Sequence, residues 1–322
     1  MYSVSRSLSK TDRPGDQVHS GTVIQDGVKH AKIGPTGKPD TIQILLRSFV
    51  DRHKVFNGQV SKTRRRATEK AVHDLRVSTR RLMAVIDVVR TMTPGIELSK
   101  PRKHLKRLLG ALSELRDVQV QIAKVRDLVG EYSELNLFLA LLMVREKQCL
   151  RRAREELLTV RLQQIEDTIT DAEQRLQTIL ADTLLREAAR SIVLGRLAAS
   201  FSKTVQLKSA ALSGKGSRIH RLRIAFKRFR YTVEALEAIL PSVTSRTLKA
   251  MNAYQVRMGD IQDIDVLIAN IRRHARSHPR ASQIQFRTLV ERLSEKRREL
   301  VLEFVTSVDE LGLFWKKLGK IQ

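Results

Sequence analysis

The stretch HDLRVSTRR, His73–Arg81, returns 147 residues later as HRLRIAFKR, His220–Arg228, with the His, the Leu and two Arg identical in place. A second pair of segments follows each copy: LSELRDVQV at 112–120 and MGDIQDIDV at 258–266. His73 precedes Asp117 by 44 residues, and His220 precedes Asp263 by 43. Two motifs kept in one order at one spacing indicate an internal duplication. The first half and the second must therefore fold alike, which few architectures allow.

The period inside the repeat says what that fold is. On a helical projection Leu222, Phe226, Phe229 and Val233 share one face, while His220, Arg223, Lys227 and Arg230 share the other. In the first copy Leu75, Leu82, Ile86 and Val89 oppose His73, Arg76, Arg80 and Arg81. From Thr41 onward the same helical period continues almost without pause. It predicts helices at about 39–57, 67–92, 99–129, 133–157, 161–179, 183–209, 217–240, 244–276 and 280–308. Breaks are expected at FNGQ, TPGIELSKP, LSGKGS, LPS and SHPR, where Gly and Pro interrupt the period. No alternating strand pattern persists. The run LNLFLALLMV (135–144) reads as a core helix, the most buried of the set. The fold class is all-α: two related four-helix bundles with a pseudo-twofold relation. Residues 1–38 lack apolar periodicity and read as a flexible tail. The first repeat covers about 39–178 and the second about 179–322.

Charge narrows the function. The chain carries 60 Lys+Arg against 34 Asp+Glu, a net +26, which repels itself unless an anionic partner relieves it. Nucleic acid, an acidic membrane surface and another polyanion are the candidates. Only 4% of residues are aromatic, with a single Trp315, so base-stacking platforms are scarce. No apolar run is long enough to span a membrane, and no membrane partner is expected. An apolar leader core is absent from the N-terminus, and Asp12 and Asp16 argue against a transit segment. The lone Cys149 excludes an internal disulfide and sits among apolar helical neighbours, which fits a buried thiol in a reducing, cytoplasmic setting.

The basic faces are the candidate site. Residues at i, i+3 and i+7 climb a helix in steps of about 5–6 Å, a ladder that an extended chain of phosphates can follow. Arg forks bind phosphate oxygens in pairs, and Lys adds a point charge. A His at the end of the ladder donates a hydrogen bond when neutral and adds charge when protonated. The nominated ladder is His73, Arg76, Arg80 and Arg81 in the first copy and His220, Arg223, Lys227, Arg228 and Arg230 in the second. Lys103, Lys106 and Lys249 on the following helices extend it. The acids nearby, Asp74, Asp87, Glu234 and Glu237, sit off the basic phase or late in the helix, so the stripe is read as lacking internal partners.

Asp117 and Asp263 are one repeated carboxylate per copy, too few to gather metal ions for phosphoryl chemistry, and are assigned to helix packing or an Arg pair. No His/Cys set has zinc spacing, and no nucleophile–base pair stands out. GPTGK and SGKGS lack the spacing of a phosphate loop and read as ordinary turns. No cofactor, metal or catalytic residue is expected.

The pairs His73-x-x-Arg76-x-x-x-Arg80-Arg81-Leu82 and His220-x-x-Arg223-x-x-x-Lys227-Arg228-Phe229-Arg230-Tyr231 resemble the signature of the conserved histidine α-helical domain, the CHAD domain. LSELRDVQV and MGDIQDIDV resemble its second motif, L-G-x-L-R-D-x-D-V. The resemblance covers roughly 39–310. Gln119 replaces the Asp the family favours, and Gln262 replaces its Arg or Asn. The resemblance implies two four-helix bundles around a basic central cleft or pore. It also implies binding of long-chain inorganic polyphosphate and association with polyphosphate granules. Some members are fused to a CYTH-type triphosphatase, but the E-x-E-x-K strand motif of that domain is not found here. The expectation is therefore a stand-alone, non-catalytic polyphosphate-binding module, with weaker nucleic-acid backbone binding as the alternative.

Overall fold

A computed structural model describes residues 40–240, 242–276 and 280–318. The expected tail and the GPTGK turn lie outside the described residues. Among those described there are ten α-helices, one 3-10 turn and no strand. They are α1 (Thr41–Arg65), α2 (Glu69–Met92), α3 (Ser99–Val129), α4 (Leu135–Thr159) and α5 (Leu162–Ala181), then α6 (Thr183–Ala211), α7 (Gly216–Ala235), α8 (Ser245–Ala275), α9 (Arg280–Ser307) and α10 (Glu310–Lys317).

Local chemistry sets the helix starts. Asp40, Thr68, Asp182 and Thr244 each turn a side-chain oxygen onto the first free amides of α1, α2, α6 and α8. Asp182 is the single residue between α5 and α6: its backbone N–H donates to the Ile179 carbonyl at the end of α5, and its side chain accepts from the Leu185 N–H at the start of α6. The turn before α3 uses Gly95 at φ 95°, and the turn before α7 uses Gly214 at φ 68°, left-handed backbone that a Cβ disfavours.

Each helix packs on its sequence neighbour: α1 on α2, α2 on α3 and α3 on α4, with α5 returning to α1. The second five helices repeat the first three of these pairings as α6 on α7, α7 on α8 and α8 on α9, whereas α10 packs against α8. Between the two sets, α2 packs on α7, so the helices carrying the repeated motif meet. Their apolar faces are fully buried: Leu75, Leu82, Ile86 and Val89 on α2, and Leu222, Phe226, Phe229 and Val233 on α7. Each such side chain contributes about 1.5–3 kcal/mol by burial. Phe226 anchors an aromatic cluster with Phe229, Tyr254 and Phe314, and Trp315 stacks on Phe201 at 4.5 Å. With its opposite face held in this core, the motif has only its basic face left to present.

Four expectations need correction. FNGQ does not break a helix, because α1 runs through Gly58 to Arg65. Asn57 stays helical by bonding back to His53, and Ser61 bonds back to the Asn57 carbonyl. The helix expected at 217–240 stops at Ala235 and tightens into a 3-10 turn over Glu237–Ile239. Nine helices were expected, and among the described residues a tenth, α10, follows Asp309. Finally, α4 is not the most buried helix. Leu137, Leu141 and Val144 are 56%, 52% and 54% exposed, because its apolar run wraps the whole helix while only one side meets α3.

Candidate functional site

Arg76, Arg80, Arg223 and Lys227 come together where α2 meets α7. Lys227 is flanked by Arg80, Arg223 and Arg76, with Asp117 the one acid acting on it. Loss of solvent pushes its amine down, the three guanidinium groups push it further, and the pKa falls to about 7. Arg76 is pushed to about 10, first by desolvation and then by Arg80. Arg223 is lowered by desolvation, against the pull of Asp263. His73 and His220 stand at the motif starts, and both are shifted below the usual imidazole range. Desolvation leads in each, followed by Arg116 at His73 and by Arg223 at His220.

The unmet hydrogen bonds fall at equivalent positions. Arg76 Nε and Arg223 Nε are both buried without a hydrogen-bond partner, and so is His220 Nδ1. Native proteins rarely leave such donors unmet, because each costs about 1–3 kcal/mol. Arg223 passes over Gly259 on α8, where a Cβ would lie 3.4 Å from the guanidinium, in ordinary contact. The repeated carboxylates sit at the margin. Asp263 approaches Lys124 at 3.9 Å. Asp117 carries no ion pair but acts on Arg76, Arg223, Arg80 and Lys227. Desolvation raises both carboxyls, opposed at Asp117 by those four cations and at Asp263 by Lys124 and Arg223. Asp117 nonetheless remains solvent-exposed, so its surroundings are wet on one side.

Arg80 and Lys227 also line a cleft of about 890 Å³ between α2, α3, α6 and α7. Small residues at facing positions, Ala84, Ala199, Ser200 and Ala225, recess its walls. Eight of the nineteen lining residues are cationic: Arg80, Arg102, Lys106, Arg196, Lys203, Arg221, Lys227 and Arg228. Among the described residues the only lining carboxylate is Asp87, and Arg102 holds it with two hydrogen bonds. No acid in the wall is left to neutralise the other seven.

Other nominated residues lie elsewhere. Lys103 and Lys249 are exposed and off the cleft lining. Arg81 and Arg230 are not free cations, contrary to the reading that the stripe has no acidic partner. Glu234, one turn beyond Arg230, accepts from Arg81 Nε at 3.1 Å and from Arg230 Nη1 at 2.5 Å. Arg230 is 8% exposed, bonds Gln255 as well, and lies over the Tyr231 ring at 4.5 Å. Arg52 adds a bond to the Glu234 carbonyl at 2.6 Å. This network ties α1, α2 and α7 together instead of facing solvent. Arg102, Arg196, Lys203 and Arg221 were not nominated. Arg196 and Lys203 stand seven apart on one face of α6, a spacing present in the sequence but without an echo in the other half.

Known proteins resemble this arrangement. The family model of the CHAD domain matches residues 52–272, more than half of the 322. The crystal structure of the CHAD domain from the plant Ricinus communis superposes with a TM-score of 0.56 at 17% identity, over 88% of this chain and 92% of that one. PptA from Streptomyces chartreusis matches at a TM-score of 0.49 and 15% identity, over 86% and 99% of the two chains. No curated protein matches. At 17% identity the likeness to the plant domain is one of fold, and it agrees with the family model's span. This chain belongs to the CHAD domain family.

Proposed function

We propose that this protein binds long-chain inorganic polyphosphate without catalysis, along the strip from His73 and His220 through Arg76, Arg223, Arg80 and Lys227 into the cationic cleft. The observation that carries the reading is the pair of buried, partnerless Nε donors on Arg76 and Arg223, set in a cluster where cations outnumber the acids acting on them. A linear polyanion supplies acceptors to both donors at once and relieves the mutual repulsion. Polyphosphate suits the strip because it is thin and brings no bases that need stacking partners. The family resemblance points the same way, and it extends the proposal to association with polyphosphate granules. The repeated order of helix pairings, five helices apart, supports an origin by internal duplication, with repeats at about 39–178 and 179–322.

The test is competition at near-physiological salt among long-chain polyphosphate, duplex DNA and triphosphate at equal phosphate concentration. Polyphosphate is expected to win by a wide margin, and its binding to weaken steeply with salt. Displacement by duplex DNA, or triphosphate binding as tight as the polymer, would replace the strip with a general basic surface.

A further inference from the structure

The cleft has walls that a phosphate chain does not use. Seven of its nineteen lining residues are aliphatic. Met83, Leu109, Leu207 and Ile224 supply one larger side chain from each of the four helices. Ile224 keeps 37% of its surface exposed, and the other three are only partly buried. Apolar surface is thus left wet inside a concavity, where an apolar body gains most by displacing water. The volume, about 890 Å³, falls within the roughly 300–1,000 Å³ of pockets that enclose small ligands.

The wall also indicates the shape of that body. Its one aromatic ring, Tyr231, is engaged by Arg230, so a planar base finds no free stacking partner. Aliphatic side chains interrupted by Ala and Ser suit a thin, flexible chain. The flanking cations demand an anionic head. We infer that the cleft binds a single-chain alkyl phosphate, with its head on Arg80 and Lys227 and its chain along Met83, Leu109, Leu207 and Ile224. This site overlaps the cleft end of the proposed polyphosphate strip but does not rest on polyphosphate binding.

Calorimetry with hexyl, octyl and decyl phosphate, each below its micelle concentration, tests it. Inorganic phosphate serves as the head alone and octyl glucoside as the tail alone. Each methylene that reaches the wall should tighten binding about fourfold. An affinity that does not change with chain length overturns the inference, as does octyl phosphate binding no tighter than inorganic phosphate. Equal binding of octyl glucoside overturns it too. The variant Leu207→Ser/Ile224→Ser should flatten the chain-length series while polyphosphate affinity stays within about twofold. If melting shows that this pair fails to fold, Ile224→Ser alone, at a half-wet position, makes the same comparison. Arg76→Ala lies off the cleft lining and should weaken polyphosphate while sparing octyl phosphate. A working chain-length series without polyphosphate binding sinks the proposed function and leaves this inference standing. The reverse result sinks only this inference.

Discussion

Binding of polyphosphate should be accompanied by proton uptake at Lys227. Its amine has been driven from 10.5 to about 7 by desolvation and by Arg80, Arg223 and Arg76, with Asp117 opposing. An oxyanion seated among these groups reverses the sign of the local field and restores the charged amine. If the bound value returns to the ordinary 10.5, uptake is about 0.5 proton at pH 7 and about 0.9 at pH 8. Affinity then falls roughly fiftyfold between pH 7 and pH 9. Arg76, at about 10, adds little below pH 9. The histidines are shifted the other way from that window and titrate on its acid side. Titration calorimetry at pH 8 in two buffers of different ionisation enthalpy reads the uptake directly. Lys227→Arg, which keeps its charge, should abolish the uptake and flatten the profile. Uptake below about 0.2 proton in the wild type, or an unchanged profile in Lys227→Arg, refutes the reasoning. The sign also holds for the unliganded protein. Between about pH 7 and 10.5 the unfolded state holds the Lys227 proton that the folded state has released. Stability from this group therefore rises with pH across that window.

Reversing Arg76, Arg80, Arg223 and Lys227 together to Glu should abolish polyanion binding with an unchanged helical circular dichroism spectrum, since none of the four packs in the apolar core. Retained affinity in that variant would remove the site. Glu234→Ala should cost about 3–5 kcal/mol in denaturant unfolding, because it strands the buried Arg230 guanidinium. The half-exposed Arg81 partner contributes little of that loss. Phe226→Ala should lose about 3–5 kcal/mol by opening a cavity among Phe229, Tyr254 and Phe314, with no direct effect on the cations across the helix.

The sequence alone determined the helical class and the two faces of the repeated helices. A period of 3.6 residues is a local property, and Leu75, Leu82, Phe226 and Phe229 have no other way to be buried together. It also carried the paired motifs by which the family is recognised. The helix starts expected near 183 and 244 fell at Thr183 and Ser245, where the caps Asp182 and Thr244 act within three residues. FNGQ was misread because an Asn-Gly pair signals a turn only where nothing holds the helix on either side, and Asn57 is held. The cleft could not be read. It depends on Ala84, Ala199, Ser200 and Ala225 facing one another from three helices, and small residues give no signal of vacancy until their neighbours are known. Which cations stay free was likewise a tertiary decision. Arg81 and Arg230 were placed on the same basic faces as Arg80 and Lys227, yet Glu234 pairs with the first two and not with the others. Helical phase fixes the direction a charge points along its own helix, whereas its partner is set by a Coulomb interaction across a few ångströms, and only the packing of α2 on α7 brings those charges within that range.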